Sequence, residues 1–285
     1  MIAPIQAELP TASVRQICTV VGISRSWHYA GQAAPQATGD AEVAGWIAPI
    51  VQRFPGYGYR RITAALRREG VVINHKRVQR IVRQESLLGQ VRRAVRTSQW
   101  MGWPQAANRI AGQTPTGPNQ IWVADLTYLH LRRETGFLAC ILDAWSRRCV
   151  GWALGAHLSA ELAARALEQA IAQRQPAPGL IHHSDQGVQY LSHRYQAILQ
   201  RIGAELSLST PGRPTDNALI ERFFRTLKQE EVRLSDYRDL AEAERQIGYF
   251  IEQLYNQERL HSRLGYVPPA EFEQVAQLDP VILSP

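Results

Sequence analysis

From residue 120 onward, short apolar runs alternate with longer stretches whose apolar positions recur at helical spacing. The short runs predict β-strands, and the longer periodic stretches predict amphipathic helices. Only brief polar breaks separate the first three runs, which predicts an antiparallel meander. The predicted elements are three strands, a helix, a strand, a helix, a strand and a helix, over residues 120–131, 136–146, 148–155, 159–174, a run ending at 185, 189–202, 204–209 and a stretch from 215 or 216. This order predicts a mixed α/β domain.

The N-terminal segment carries helical patterns instead. In "TASVRQICTVVGISRSWHYA", residues 11–30, apolar side chains at 14, 17, 18 and 21 predict a helix that Gly22 ends. Ser24 is a good cap for a second short helix. A helix, a glycine-containing turn and a helix outline a helix-turn-helix unit. Many packed helical hairpins share this outline, so plain packing is an equal alternative for this segment.

A second and more basic helical pair is predicted between residues 57 and 84. The stretch "YGYRRITAALRREG" places Ile62 and Leu66 on one face and ends at Gly70, and "INHKRVQRIVRQ" begins after the N-cap residue Asn74. A basic second helix after a short turn is typical of a recognition helix in the DNA major groove. A solvated charged face is the alternative. The side chains predicted to face outward and to bind DNA are Arg60, Arg61, Lys76, Arg77, Arg80 and Arg83.

Composition changes again between residues 91 and 118, where Gly, Pro, Thr and several arginines occur without a sustained period. Such a stretch is typical of a linker or an extended arm on a phosphate backbone. The sequence therefore predicts an N-terminal helix-turn-helix-like segment, a second helix-turn-helix unit, a basic linker, an α/β domain and a C-terminal tail, at residues 1–40, 41–90, 91–118, 119–275 and 276–285.

The charge distribution points to a polyanionic partner. Residues 1–118 hold 15 Lys or Arg against 5 Asp or Glu, whereas the remaining residues hold 17 against 20. Positive charge concentrated at one end of a chain is the electrostatic signature of a nucleic-acid binder. No apolar run is long enough to span a bilayer, and the start lacks a basic or apolar leader, so a cytoplasmic protein without a membrane partner is expected.

The cysteines and histidines argue against a transition-metal site. Cys18, Cys140 and Cys149 occur at spacings that match no zinc or redox motif, so buried free thiols are expected. His182 and His183 are adjacent on a predicted strand and therefore point to opposite faces.

Three carboxylates are candidates for chemistry. Asp125 lies in the middle of a predicted strand, where an ionised acid is costly unless it is paired or bound to a metal. Asp185 ends the fourth strand, and Glu221 lies on the predicted helix beside Asn217 and Lys228 on one polar stripe. If the first and fourth strands are neighbours, the three acids converge at one sheet edge.

Each acid also has a structural interpretation when taken alone. Asp125 can bond a backbone group near Thr127, Asp185 can form a turn with Gly187, and Glu221 can pair with Arg225 one helical turn away. Two nearby acids, Asp143 and Asp216, are expected to form a strand-end bond and a helix cap. For His183, a role behind Asp185 and simple buried packing are equal alternatives. The tail from Tyr255 to Tyr266 is expected either to contact DNA or to be structural.

The joint arrangement of the acids resembles a known signature. An Asp on the first strand, an Asp after the fourth, and a Glu with 35 residues between the last two match the DDE signature of transposases and retroviral-type integrases. The flanking blocks also resemble, in order, the larger-frame product (OrfB) of IS3-family insertion-sequence transposases, over about residues 13 to 275. The blocks are "PNQIWVADLTYL", "LDAWSRRCVGWAL", "HHSDQGVQY", "PTDNALIERFFRTLKQE" and "YNQERLHSRLGYVPPAEFE", preceded by the second helical pair.

The resemblance carries expectations about fold and site. It implies a ribonuclease-H-like catalytic core, a mixed five-stranded sheet with flanking helices, preceded by an all-α helix-turn-helix region. It implies that Asp125, Asp185 and Glu221 are catalytic metal ligands and that Lys228 is the basic residue that follows the Glu in this family. Lys228 and Asn217 are expected to contact DNA. Two Mg²⁺ or Mn²⁺ ions per site are expected, because paired divalent ions suit in-line displacement at phosphorus.

The resemblance also implies binding partners, and two alternative functions remain. DNA at the terminal inverted repeats, target DNA, a homo-oligomer in a synaptic complex and the smaller-frame product (OrfA) are the expected partners, in a bacterial, nucleoid-associated setting. The predicted function is metal-dependent strand cleavage and strand transfer. A catalytically silent DNA-binding regulator and a structure-selective nuclease of the same fold are the alternatives.

Overall fold

The structure of the protein is a computed structural model that describes residues 14–22, 39–85, 108–210 and 217–278. The chain divides into two compact units, Met1–Trp46 and Ile47–Pro285. Within the described ranges, no helix combines the length and the apolar character needed to cross a membrane.

In the first unit, helix α1 (Val14–Val21) buries the side chains of Ile17 and Cys18. The helix ends as predicted at Gly22, whose φ of 71° suits a residue without a Cβ. The second helix predicted for this segment, after Ser24, lies outside the described residues. The helix-turn-helix interpretation of the N-terminal segment therefore stays a prediction.

Helices α2 (Asp40–Arg53), α3 (Tyr59–Arg68) and α4 (His75–Gln84) follow. The pair α3 and α4 was predicted: Gly70, with a φ of 84°, lies in the turn, and the Asn74 side chain caps α4 by accepting a 2.9 Å hydrogen bond from the Lys76 backbone N–H. Helix α2 was not predicted, although Val43, Ile47 and Ile50 recur at helical spacing and are buried.

Within the described residues, five strands form one sheet in the order β3-β2-β1-β4-β5. The strands are β1 (Ile121–His130), β2 (Thr135–Asp143), β3 (Cys149–Gly155), β4 (Ile181–Ser184) and β5 (Glu205–Leu208). The first three form the predicted antiparallel meander, and β4 and β5 run parallel to β1. The predicted mixed sheet, with the first and fourth strands adjacent, is confirmed.

Helices cover both faces of the sheet because alternate residues of β1 point to opposite sides. Trp122 and Ala124 belong to a buried cluster with residues of α5 (Ala160–Arg174) and α6 (His193–Arg201). Ile121 and Val123 belong to a second cluster with residues of α7 (Ala218–Leu227) and α8 (Leu240–Tyr249). This layering is the ribonuclease-H-like arrangement that the sequence resemblance implied. Asp125 follows Ile121 and Val123 at every second position of β1, so it lies on the face of the sheet that α7 covers.

The register of β4 brings two of the acids side by side. The last paired residues of the parallel β1–β4 ladder are Ala124 and Ser184. The next residue on each strand is an aspartate, Asp125 on β1 and Asp185 just after β4. The two carboxylates therefore start from neighbouring backbone positions.

Helix α7 carries the third acid and then changes its geometry. Its buried stripe is the predicted one: Ile220, Phe223, Phe224 and Leu227. At Lys228 the helix continues as a π-helical stretch, Lys228–Val232, whose wider turn was not predicted. A second π-helical stretch, Phe250–Glu258, continues α8, and helix α9 (Pro269–Leu278) closes the described chain.

A junction in the second unit joins the segment before α3 to the segment after α8. Its residues are Gly56, Tyr57, Glu230, Arg259 and Leu260. The Tyr57 hydroxyl accepts a 2.6 Å hydrogen bond from the Leu260 backbone N–H, and the Arg259 guanidinium donates two hydrogen bonds, of 2.8 and 2.7 Å, to Glu230. The sequence left open whether the tail contacts DNA or is structural. Arg259, in this tail, is buried and has a structural role.

Arg61 is a correction to the sequence prediction. It was predicted to face outward, but it is partly buried, with its Nε fully buried and its guanidinium 5.7 Å from the Tyr57 ring centroid. Burial, followed by the nearby charge of Arg259, lowers its pKa. The helical pattern misplaced Arg61 because the packing of the C-terminal segment against α3 is a long-range contact. The three cysteines, all within the described residues, are buried free thiols as predicted.

Candidate active site

Asp125 is the most perturbed of the three acids. Its side chain is partly buried, and one oxygen accepts a 2.8 Å hydrogen bond from the Leu126 backbone N–H. Burial, together with the negative charges of Asp185 and Glu221, raises the pKa of Asp125 to about 8. A charge in this position is destabilised by its surroundings on both counts.

Asp185 leads into a tight turn. Its Oδ1 accepts a 3.0 Å hydrogen bond from the Gly187 backbone N–H, and a Cβ at position 187 would lie 2.9 Å from that oxygen. The residue is exposed by accessible area, yet enough protein surrounds the carboxylate for burial to raise its pKa, against the effect of the Gly187 bond. The turn interpretation and the site interpretation are therefore compatible, because the turn fixes the carboxylate beside Asp125.

Glu221 approaches the same point from α7. Its side chain is partly buried, and its charge contributes to the raised pKa of Asp125. The buried stripe of α7 faces the sheet, so the partly buried position of Glu221 lies at the margin of that contact. Three elements that are distant along the chain thus bring their acids into one electrostatic field.

Lys228 supplies positive charge to this field. It lowers the pKa of Asp125, whereas its own pKa is lowered by burial and raised in turn by Asp125. Its Nζ lies 4.8 Å from the centroid of the Tyr128 ring. The structure therefore brings Lys228 beside the acids, as the sequence predicted.

Asn217 precedes α7 and is buried, at 7% exposure. Its side chain makes no capping hydrogen bond, and its Oδ1 has no hydrogen-bond partner among the described residues. A buried amide oxygen left without a partner is costly in a folded protein. Asn217 is less accessible than the partly buried Glu221 and Lys228, and its predicted contact with DNA stays a prediction.

The three acids do not form a closed metal cage in this structure. In the part of the chain that is described, no group of three or more His, Cys, Asp or Glu side chains lies close enough together to hold a metal ion. Carboxylate oxygens are nevertheless the donors that Mg²⁺ and Mn²⁺ take, so the donor chemistry fits a divalent ion.

The nearby polar residues have structural partners. Asp143 accepts backbone hydrogen bonds from Asn119, Trp145 and Ser146 at 2.6, 2.9 and 3.0 Å, as the predicted strand-end role requires. The two ring nitrogens of His183 lie 2.8 and 3.1 Å from the Ser207 and Ser209 hydroxyls. Behind the acids, His183 is thus a hydrogen-bonded core residue. Asp216 lies outside the described residues.

Two tyrosines near the acids were missed by the sequence analysis. Tyr128 is 52% exposed on β1, and Tyr190 is buried with a hydroxyl that has no partner within the described ranges. Burial, followed by the charges of Asp125 and Asp185, raises the pKa of Tyr190. Tyr128 lies three residues after Asp125, in the motif "DLTY".

The basic residues of α3 and α4 differ in accessibility. Arg60, Lys76, Arg80 and Arg83 are exposed, whereas Arg61 and Arg77 are partly buried. A groove of about 390 Å³ lies between α3 and the segment around Tyr266, and Arg60 and Arg67 line it. The outward positions predicted for the exposed four are thus correct, and DNA contact at them is a proposal.

Solved structures with a similar fold include a chain of the simian T-cell lymphotropic virus intasome in complex with PP2A regulatory subunit B56 gamma. It is 17% identical with a TM-score of 0.48, and the match covers 74% of this chain and 70% of that chain. The HTLV-2 integrase catalytic core domain in complex with magnesium is 18% identical with a TM-score of 0.44, and the match covers 55% of this chain and 97% of that one.

Family models match most of the chain. Residues 115–214 and 202–269 match two models described as integrase core domain, and residues 40–95 match a model described as an HTH-like domain. Together with the strand order of the sheet, these matches confirm the ribonuclease-H-like core and the helical region before it.

Relatives among known proteins extend the match along the chain. The transposase for insertion sequence element IS904 of Lactococcus lactis is 37% identical over 76% of this chain and 87% of the relative. A 31 kDa protein of insertion element IS600 from Shigella sonnei is 36% identical over 90% and 97%. Transposase InsF for insertion sequence IS3A of Escherichia coli is 34% identical over 76% of each chain. The chain belongs to the IS3-family insertion-sequence transposases.

Proposed function

We propose that this transposase cleaves DNA strands at the ends of its element and joins the freed 3′-hydroxyl to target DNA, with Asp125, Asp185 and Glu221 as catalytic residues. The observation that carries the proposal is the pKa of Asp125, which burial and the charges of the other two acids raise to about 8. A strongly perturbed carboxyl among like charges is typical of a functional site rather than a structural one.

The same three acids are proposed to hold two Mg²⁺ or Mn²⁺ ions. When bound, such ions would activate the attacking oxygen and stabilise the leaving oxygen in a displacement at phosphorus. Asp125 would hold these ions together with Asp185 and Glu221, because the charges of both other acids act on it. The parallel register that sets Asp125 beside Asp185 supports this assignment.

The chain's own residues have distinct proposed tasks in the reaction. Asp125 must lose its proton before its oxygens can serve as ligands, so the reaction requires deprotonation of a group that is mostly protonated at neutral pH. Lys228 would neutralise a DNA phosphate beside the acids, because its ammonium already lies within their field. Asn217 would act through its buried amide oxygen, which has no partner among the described residues, by accepting a hydrogen bond at the start of α7.

DNA recognition is proposed for the helical region before the core. Exposed basic side chains on α3 and α4 supply the charge for phosphate contacts, and a helix of this kind fits the major groove. Element ends and target DNA are the proposed partners, with a second copy of the chain in the synaptic complex and the smaller-frame product as an accessory protein.

The test is Mg²⁺-dependent cleavage and joining of DNA that carries the element's own ends, with the smaller-frame product present. Wild type should be active, and Glu221→Gln should lose activity because the amide cannot hold a divalent cation. Glu244→Gln, an exposed residue of α8, is the matched control and should keep full activity. Equal activity of wild type and Glu221→Gln contradicts the proposal, and tight DNA binding without activity in any variant favours the regulatory alternative.

A further inference from the structure

Strand β1 extends beyond its parallel neighbour. Pairing with β4 ends at Ala124 and Ser184, whereas β1 continues to His130. Over this last part, β1 pairs with β2 on one side, and within the described ranges no strand lies on the other side. Beyond Asp125, no described strand pairs with this edge of β1, next to the acids.

Tyr128 lies on this overhanging part of β1 and is 52% exposed. The Lys228 ammonium lies over its ring at 4.8 Å, and the His130 ring meets it edge-on, with centroids 5.3 Å apart. Among the described residues, Tyr128 and Tyr249 are the exposed large aromatic side chains. Tyr128 is the one that contacts a residue in the field of the acids.

Folding alone does not account for this arrangement. About half of the ring stays in water, so its burial contributes little apolar stabilisation. A cation–π pair at an exposed site also contributes little. A flat ring with a cation at its face is, however, the combination that binds unstacked bases in proteins that hold single-stranded nucleic acid.

We propose that Tyr128 stacks on a nucleobase displaced from the end of the DNA duplex and thereby positions the adjacent phosphate or 3′-hydroxyl at Asp125, Asp185 and Glu221. The inference rests on the proposed function, because it requires a DNA end at the three acids. A base inside a duplex is covered on both faces by its neighbours, so it must leave the stack to reach a side chain. Every base has a π-face, and the stack is therefore independent of sequence.

Lys228 links this contact to the site of chemistry. It touches the Tyr128 ring and also acts on the charge of Asp125. A nucleotide whose base lies on Tyr128 would thus have its phosphate within reach of the same ammonium. Tyr128 is accordingly a substrate-positioning residue, and its removal should affect DNA ends without changing the fold.

The first experiment compares Tyr128→Ala, Tyr128→Phe and the control Tyr249→Ala, whose native ring is 55% exposed on α8. With DNA carrying the element's ends, Tyr128→Ala should lower the joining rate about tenfold, the size expected for one lost base–aromatic stack. Tyr128→Phe should stay within about twofold of wild type because it keeps the ring. Equal losses in Phe and Ala, or in the control, overturn the proposal. Unchanged melting temperatures show that each variant is folded.

The second experiment removes the base instead of the ring. Abasic sites are placed one at a time at the terminal nucleotides of each DNA strand. At the position that stacks on Tyr128, wild type and Tyr128→Ala should join DNA at the same rate, because the partner of the ring is already gone. If Tyr128→Ala loses the same factor on every abasic DNA, the side chain does not act through a base and the proposal is wrong.

A binding measurement separates this proposal from the proposed function. DNA ends carrying the fluorescent base 2-aminopurine at the terminal positions are mixed with the full chain without added metal, so no strand is cut. A fluorescence change in wild type that is lost in Tyr128→Ala and kept in Tyr128→Phe supports stacking, even if the chain proves inactive. If wild type joins DNA and Tyr128→Ala gives the same fluorescence change as wild type, the stacking proposal is wrong but the proposed function stands.

Discussion

Two carboxylates of the same unit, Glu230 and Asp125, have opposite surroundings. Glu230 is 8% exposed and accepts two hydrogen bonds from Arg259, which is itself 3% exposed. Asp125 accepts one hydrogen bond from Leu126, and the charges of Asp185 and Glu221 act against its ionisation. One acid is neutralised by a dedicated cation, and the other is held among acids.

The surroundings of Glu230 are those of a structural ion pair. A Cβ at Gly56 would lie 2.4 Å from the Glu230 side chain, so the backbone of residue 56 packs directly on it. Burial lowers the pKa of Arg259, but the hydrogen bonds and charge of Glu230 more than offset this effect and raise it. A buried charge that is paired in this way keeps a segment in one arrangement.

The comparison separates a carboxylate that stabilises the fold, Glu230, from one with a proposed catalytic role, Asp125. Glu230, which serves the fold, is matched with a partner, whereas Asp125, the proposed catalytic residue, is left with a raised pKa. Lys228 offsets only part of the repulsion at Asp125, because the net effect is still a pKa of about 8. An ionised Asp125 is thus costly to the folded chain.

The largest effect that would break this comparison is the loss of chemistry at Asp125. Asp125→Asn should lower the rate of strand joining by about a thousandfold or more, about 4 kcal/mol, because the amide cannot replace a carboxylate ligand. The rate is measured on DNA carrying the element's ends. Asp236→Asn, which removes an exposed partner of Arg132, is the control and should keep its rate. A similar loss in both variants would falsify the special role of Asp125.

The next effect concerns stability at Glu230. Glu230→Gln should lower the free energy of unfolding by about 3–4 kcal/mol, because it leaves the buried Arg259 charge without its counter-ion. Urea denaturation measures the change. The double variant Glu230→Gln with Arg259→Met should recover much of the loss, since no unpaired charge is then buried. A double variant as unstable as the single one would contradict the ion-pair account.

A smaller effect is expected from packing at the junction. Gly56→Ala should cost about 1–3 kcal/mol, because its Cβ would overlap the Glu230 side chain and disturb the ion pair. Gly45→Ala in helix α2 is the matched control, since no described atom lies within 4 Å of the added Cβ. It should stabilise the chain by about 0.5–1 kcal/mol through helix propensity. Changes of the same sign in both variants, read from thermal unfolding, would contradict the overlap.

The smallest expected effect is the pH dependence that Asp125 contributes. Its pKa rises from 3.8 to about 8 on folding, so the folded chain binds more protons than the unfolded chain between these values. This contribution to stability is present at low pH and is lost as the pH rises through about 8. Asp125→Asn should therefore gain stability relative to wild type as the pH rises from 5 to 8, because the amide does not titrate in this range. Parallel stability curves would show that the proton affinity of Asp125 is ordinary.

Local patterns predicted the parts of the molecule that local physics decides. The strand β1, the cap at Asn74 and the buried stripe of α7 are all set by neighbouring residues, and the structure confirms each of them. The position of Asp125 in the middle of a strand was itself a signal, because an unpaired acid is costly there.

The parts that failed depend on distant partners. The helical pattern of α3 places Arg61 on the outward face, but its contacts come from residues distant along the chain. The Glu230–Arg259 ion pair likewise joins two residues that share no local sequence pattern. The π-helical stretch that begins at Lys228 shifts the later side chains from the predicted stripe. Such features arise from tertiary packing, which periodicity does not report.

The most direct test of the central claim is the number of protons released when Mg²⁺ binds the full chain. Calorimetric titrations at pH 7, in buffers of different ionisation enthalpy, should give close to one proton per site in wild type, since Asp125 with a pKa of about 8 is mostly protonated there and must ionise to bind a cation. Asp125→Asn should lose this release. Mg²⁺ binding with no proton release in wild type, or equal release in both proteins, would contradict the account.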